Sequence, residues 1–237
     1  MEPNLLWNDI AARAGLSLRT EQHALLHRYL DLLLQANQRM NLTRITDRTA
    51  AEVQHVGDAL TLLQFVPSGA ISLSDVGSGG GVPGIPLAIA RPDVRMLLIE
   101  STKKKASFLR EAGRTLNLTN VTITDTRAED VARHTPQRES FDIVTARAVG
   151  TLAWLAEWCL PLAKVGGKVL AMKGAKLTEE LPLAAKAIKL LGGGEPVIHP
   201  VQLPGAEHHV IVEIPKLAKT DLKFPRDPTA TRGKAIA

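Results

Sequence analysis

At Ala70 the sequence changes rhythm: short β-branched runs begin to alternate with helical patterns, and a glycine-rich segment follows the first run. Strands are expected at Ile71–Val76, Val94–Ile99, Val121–Ile123, Phe141–Thr145 and Lys168–Met172, with helical spacing over Lys103–Glu111, Thr151–Leu160 and Thr178–Leu191. Strands alternating with helices predict a parallel α/β sheet covered on both faces. After Gly192-Gly193-Gly194, two further runs (Val197-Ile198 with Val201, then His209–Ile214) have no helix between them, which predicts an antiparallel pair. Upstream the periodicity is helical. Leu25, Leu26, Tyr29, Leu30, Leu32, Leu33 and Ala36 follow Thr20 as an expected N-cap, and a second helix from Asp47 carries Val53, Val56, Ala59, Leu60 and Leu63. The expected division is a helical addition over 1–66, an α/β core over 67–215 and a basic tail over 216–237.

Composition narrows the class. Hydrophobic residues at 45% and charged residues at 22% of a 237-residue chain suit a globular protein of one medium domain with an appendage. Aromatics are only 3%, so the core must come from Leu, Val, Ile and Ala, and recognition by a wall of stacked aromatics is disfavoured. The single cysteine, Cys159, excludes an intramolecular disulfide and any Cys-pair zinc site. His199, His208 and His209 have no cysteine or carboxylate companions in the sequence, so no metal is expected. The most apolar stretch, 70–90, holds Asp75, five glycines and two prolines, which rules it out as a spanning helix. With no basic targeting segment at the front, a soluble, cytoplasmic protein without a membrane partner is expected, and a monomer by default because no large apolar helix demands a partner. The net charge of +5 is concentrated in the tail, where Lys216, Lys219, Lys223, Arg226, Arg232 and Lys234 face only Asp221 and Asp227. Such a terminus suits a polyanion such as RNA, or is simply a solvated tail.

The ligand signal is the segment Asp75-Val76-Gly77-Ser78-Gly79-Gly80-Gly81-Val82-Pro83-Gly84, where the first strand gives way to a helix. Ligands of wound α/β sheets sit outside the carboxyl ends of strands, near the reversal of strand order. Gly79, Gly81 and Gly84 satisfy the dinucleotide pattern G-x-G-x-x-G, a weak match by itself. Asp75 ahead of the glycines would repel a pyrophosphate but not a cationic ligand such as S-adenosylmethionine. Glu100 ends the second strand, where a carboxylate can accept from both ribose hydroxyls of an adenosine. Thr126-Arg127-Ala128-Glu129-Asp130 follows the third strand, where a loop closes over adenine, and Arg147 follows the fourth, facing the reactive end of a cofactor. The chain has no Asn/Asp-Pro-Pro-Tyr loop, no G-x-S-x-G elbow and no P-loop, and Cys159 lies in an apolar helical pattern.

These residues carry a family resemblance. Asn41-Leu42-Thr43, His55-Val56-Gly57-Asp58-Ala59-Leu60, the loop 75–87, Arg127-Ala128-Glu129, Thr145-Ala146-Arg147-Ala148 and Met172-Lys173-Gly174, in that order, resemble the RsmG (GidB) family of bacterial 16S ribosomal RNA (guanine-N7) methyltransferases. The resemblance implies a class I S-adenosylmethionine-dependent methyltransferase sheet of Rossmann-like type with a helical N-terminal addition. It implies cofactor contacts at Gly77, Val82, Ala128, Glu129 and Arg147, beside Gly79, Gly81 and Glu100 from the motif reading. Ala59 stands where the family often has Ser, and Ser78-Gly79-Gly80 replaces a Thr-Gly-Pro-like turn.

The implied acceptor, guanine N7, has a lone pair and no proton, so the absence of an acid–base dyad is consistent with it. Arg147 is expected to orient the cofactor or the guanine edge, Arg127 and Lys173 to hold phosphate or base, and Arg44 and the tail to follow the RNA of the small ribosomal subunit. Two alternatives remain at this level: a nicotinamide-dependent oxidoreductase, and a non-catalytic RNA-binding or ribosome-assembly protein with a relic cofactor loop. The first lacks a Tyr-Lys pair, since the one tyrosine, Tyr29, lies in a helix.

Overall fold

The computed structural model describes residues 3–133, 136–231 and 233–236. Seven strands, β1 (Ser72–Val76), β2 (Arg95–Ile99), β3 (Val121–Thr124), β4 (Phe141–Arg147), β5 (Ala163–Lys173), β6 (Val197–Pro200) and β7 (Val210–Pro215), form one sheet in the order β3-β2-β1-β4-β5-β7-β6. The first five run parallel, and β7 pairs antiparallel with both β5 and β6. Strand order reverses between β1 and β4, which opens a crevice at their carboxyl ends.

Side chains alternate between two cores, as a strand's period of two requires. Leu73, Leu98, Ile143, Leu170 and Ile211 face one cluster, while Val76, Ile99, Val144, Val169 and Val212 face the other. On the first face lie α1 (Pro3–Arg13), α2 (Thr20–Met40), a helical run α3 over 48–65, α4 (Gly84–Ala90) and α5 (Lys103–Thr115). The second face is covered by α6 (Ala128–Arg133), α7 (Leu152–Cys159) and α8 (Leu177–Leu190). The N-terminal helices therefore share a core with the sheet. Gln22 binds α2 to α4 by donating to the carbonyls of Ile89 and Ala90, at 2.7 and 3.0 Å, which satisfies orphan groups at a helix end.

Three sequence expectations change. Thr20 is the first residue of α2 rather than its cap, and Gln22 Oε1 accepts from the backbone N–H of Arg19, the residue at the cap position. Asp47 does cap α3, accepting from Ala50 N at 2.8 Å, but α3 is not a plain helix: Glu52–Gly57 forms a π turn and Thr61–Phe65 a 3-10 turn. Nor is the basic stretch after Pro215 a loose cationic strap. Lys216 is 1% exposed, its ammonium donating to the carbonyls of Leu160 and Leu191 and to Thr220 Oγ1 beside Glu139. Arg226 makes charge-assisted bonds to the buried Glu157, and Phe224 and Ile236 join the second core. Burying a cation is costly unless it is paired, so these side chains serve the fold. Arg232 lies outside the described residues.

Candidate functional site

A cavity of about 800 Å³ opens at the carboxyl edge of the sheet, within the range of cofactor sites. Register explains why its walls come from distant sequence positions. Val76 pairs with Ile99 and Ala146, and Ile99 with Thr124, so the loops after all four strands emerge side by side. The glycine loop forms the floor. Gly77 and Ser78 donate to Ile99 O at 2.8 and 3.1 Å, and Gly79 donates to Glu100 Oε2 at 2.9 Å. Gly77 has φ +70, and a Cβ there would come within 2.2 Å of Val149 Cγ1, so only glycine keeps this floor open.

Most of the expected cofactor residues converge here. Gly77, Gly79, Val82, Glu100, Ala128, Glu129 and Arg147 all line the cavity, with Arg44 and Arg127 on its exposed rim. Two expected residues do not. Gly81 faces inward, where a Cβ would meet Ile85 and Leu109, so it permits helix packing rather than ligand approach. Lys173 lies outside this cavity: it is tied to Glu180 at 2.6 Å, donates to Gly150 O at 2.9 Å, and lines a neighbouring cavity together with Arg147. Asp75 likewise points into the protein. It is fully buried, accepts from Gly84 N at 3.2 Å, and burial pushes its carboxyl up to about 7. Selection of a cationic over an anionic ligand therefore does not rest on an Asp75 charge in the cavity.

Glu100 is 6% exposed, and its second oxygen accepts from Thr102 N at 2.7 Å. A carboxylate offers about four lone-pair positions, so two accepted bonds leave capacity for a ligand's hydroxyls. Glu129 is buried in the first turn of α6, where helix N–H groups favour an anion. Cys159 is buried and its thiol is pushed up by burial, which removes it as a nucleophile.

The N-terminal helices supply a wall that sequence reasoning missed as a site. Leu42, Thr43, Ile45 and His55 line the cavity, Leu42 directly beside Gly80 of the glycine loop. Asn37 fixes this segment by donating to Thr43 O and accepting from Thr43 N, both at 2.9 Å. Thr43 Oγ1 lies 2.9 Å from His55 Nε2, and burial, with Arg147 nearby, pushes His55 down to about 4, so the imidazole is neutral. The signal available in the sequence was the pair of short motifs around Thr43 and His55. Tyr29 anchors the same wall by donating to Gly80 O at 2.8 Å. Trp158, stacked on Trp154, also lines the cavity despite the scarcity of aromatics.

Arg147 ends β4, and the next residue, Ala148, has φ +56, a left-handed conformation costing about 1–2 kcal/mol for a side chain with Cβ. Strain of this kind gathers at ligand sites. Arg147 Nη1 lies 3.5 Å from Asp58 Oδ2 and is buried with no hydrogen-bond acceptor among the described residues.

A seven-stranded sheet of this order, with a glycine loop after β1 and a carboxylate after β2, is the class I S-adenosylmethionine-dependent methyltransferase fold. Two solved structures share it: a SAM-dependent methyltransferase from Aquifex aeolicus (TM-score 0.56, 14% identity, covering 73% of this chain and 96% of that one) and precorrin-6y C5,15-methyltransferase from Geobacter metallireducens (TM-score 0.50, 18% identity, 68% and 86%). The family is closer in sequence. The family model described as "GidB: rRNA small subunit methyltransferase G" matches residues 22–210. Proteins named ribosomal RNA small subunit methyltransferase G are 43% identical in Chloroflexus aggregans, over 90% of this chain and 89% of the relative, and 38% identical in Leuconostoc mesenteroides, over 97% of both. The chain belongs to the GidB (RsmG) family of rRNA small subunit methyltransferases.

Proposed function

We propose that this protein transfers the methyl group of S-adenosylmethionine to N7 of a guanine in 16S ribosomal RNA, acting in the cytoplasm as a monomer on the small ribosomal subunit. The observation that carries this reading is the convergence of Gly77, Gly79, Glu100, Ala128, Glu129 and Arg147 on one cavity in a chain of this family. The donor set fits the cofactor: a glycine floor that a Cβ would block, and a buried carboxylate with lone pairs to spare. When bound, the cofactor supplies an electrophilic methyl group.

The protein's own part is positioning. Glu100 accepts from ribose hydroxyls, Ala128 and Glu129 hold the adenine edge, and Val82 packs against the cofactor. Arg147 donates to the O6 acceptor beside guanine N7, leaving N7 free to attack. No residue needs to remove a proton, because N7 carries none. Catalysis is then orientation in a site that excludes water. Arg44 and Arg127 on the rim follow RNA phosphates. No described helix is long and apolar enough to span a bilayer.

The test is incubation with methyl-labelled S-adenosylmethionine and small subunits or naked rRNA from cells lacking this enzyme, followed by borohydride–aniline cleavage. Label with a break at one guanine is expected. Label without cleavage refutes N7 as the acceptor, and bound cofactor without label favours a binding protein.

A further inference from the structure

The reading above assigns a task to Arg147 and leaves open what holds it in place. We propose that Asp58 is the positioning residue for Arg147, fixing its guanidinium at the junction of the cofactor cavity and a second cavity where the acceptor base enters. The inference rests on the proposed methyl transfer.

The second cavity, about 390 Å³, lies over the ends of β4 and β5 and the start of β7, and Arg147 and Ala148 line both spaces. Asp58 is 2% exposed and belongs to the N-terminal helical run, at the residue following the π turn. π turns inside helices are common at functional sites because they redirect side chains without ending the helix. Here His55 and Asp58 both point inward: His55 into the wall of the first cavity, Asp58 into the lining of the second. Asp58 Oδ2 is 3.5 Å from Arg147 Nη1, and Oδ1 is 3.2 Å from His209 Nδ1. Three distant segments thus meet at one carboxylate.

A buried carboxylate is unfavourable without partners, and here the partners are the cation of Arg147 and the ring of His209. The arrangement also suits the chemistry. An arginine side chain has several rotatable bonds, and only a fixed guanidinium can hold a base within the narrow geometry that displacement demands. From the other side, Lys173 braces the loop through Gly150 O. Nη1, 3.5 Å from Asp58, is enclosed and lacks a full hydrogen bond, so the carboxylate holds the guanidinium from its buried side and leaves the exposed part of the side chain to meet a purine O6.

The test is a double-mutant cycle of Asp58→Asn and Arg147→Ala, with two further readouts: S-adenosylmethionine affinity by calorimetry, and ¹⁵N NMR of the Arg147 guanidinium, assigned with Arg147→Lys. Asp58→Asn is nearly isosteric and its folding is checked by thermal unfolding. The expected result is a kcat on small subunits lowered about 100-fold, cofactor affinity within about threefold of wild type, and a double variant no slower than Arg147→Ala alone. Restricted rotation of the Arg147 guanidinium in the wild type should give way to fast averaging in Asp58→Asn. Additive rate losses, or unchanged Arg147 resonances in Asp58→Asn, overturn the proposal. A fully active Arg147→Ala overturns it together with the role assigned to Arg147. If the wild type binds the cofactor but labels no guanine, the functional reading fails, and the NMR comparison alone decides whether Asp58 fixes Arg147.

Discussion

Replacing Glu100 by Gln keeps the shape of the side chain but turns one of its two acceptor oxygens into an NH₂ donor. In the native protein one oxygen accepts from Gly79 N and the other from Thr102 N. The amide can satisfy only one of them and sets a donor against the other. A hydrogen bond to a charged group contributes about 1.5–3 kcal/mol, and the group is buried, so solvent does not replace the lost partner. That cost falls on the glycine loop, whose other ties are the two Ile99 bonds, the Gly81-to-Ser78 turn, Ser78 Oγ donating to Asp75 O and Tyr29 donating to Gly80 O. The variant loop relaxes when empty and must be re-formed on binding, so the loss appears in cofactor affinity. At about 1.4 kcal/mol per tenfold, Glu100→Gln should weaken S-adenosylmethionine binding about tenfold to a hundredfold. The assay is isothermal calorimetry with S-adenosylmethionine and S-adenosylhomocysteine, beside a thermal unfolding scan without ligand. Binding within threefold of wild type by a folded variant would refute the claim that Glu100 organises the floor of the site.

Other consequences are equally accessible. Lys216→Met leaves Glu139 and two carbonyls without their buried partner, and should cost about 3–5 kcal/mol, seen as a Tm lowered by about 10 °C. A drop under 2 °C would mean that the segment after Pro215 docks without it. Asp75 provides a pH signature. Its folded carboxyl titrates near 7, against about 3.9 in an unfolded chain. Between those values the folded state holds a proton that the unfolded state has released, so its contribution to stability falls as pH rises through the window. Asp75→Asn should flatten that decline by at least about 1 kcal/mol, measured from urea midpoints at pH 5 and pH 7.5, and identical slopes would contradict a protonated Asp75. On the rim, Arg44→Ala or Arg127→Ala should each lower the salt dependence of RNA binding by roughly one unit of slope. Lys173→Ala should leave that slope unchanged, because its charge is already spent on Glu180.

Much of this molecule is set by local sequence. The five parallel strands and their helices follow from β-branched runs alternating with amphipathic spacing, and the antiparallel end from two runs with no helix between them. The glycine loop was legible for the same reason, since Gly77 with its positive φ answers a local backbone demand. Residues at the ends of β2, β3 and β4 were legible as a site because a parallel sheet places all its carboxyl ends on one edge. Tertiary packing decided what local pattern does not encode. Gly81 looks like a ligand glycine in sequence, yet its missing Cβ is filled by Ile85 and Leu109. Lys216 and Arg226 read as solvent cations, and their partners Glu139 and Glu157 are far along the chain. The wall built by Thr43 and His55, and the meeting of Asp58, Arg147 and His209, arise from a turn wound one residue wider than an α-helix, a change that hydrophobic periodicity cannot register. Periodicity reports which face of an element is buried. Which charge meets which across that buried face depends on how separate elements dock, and that is fixed only when the chain is folded.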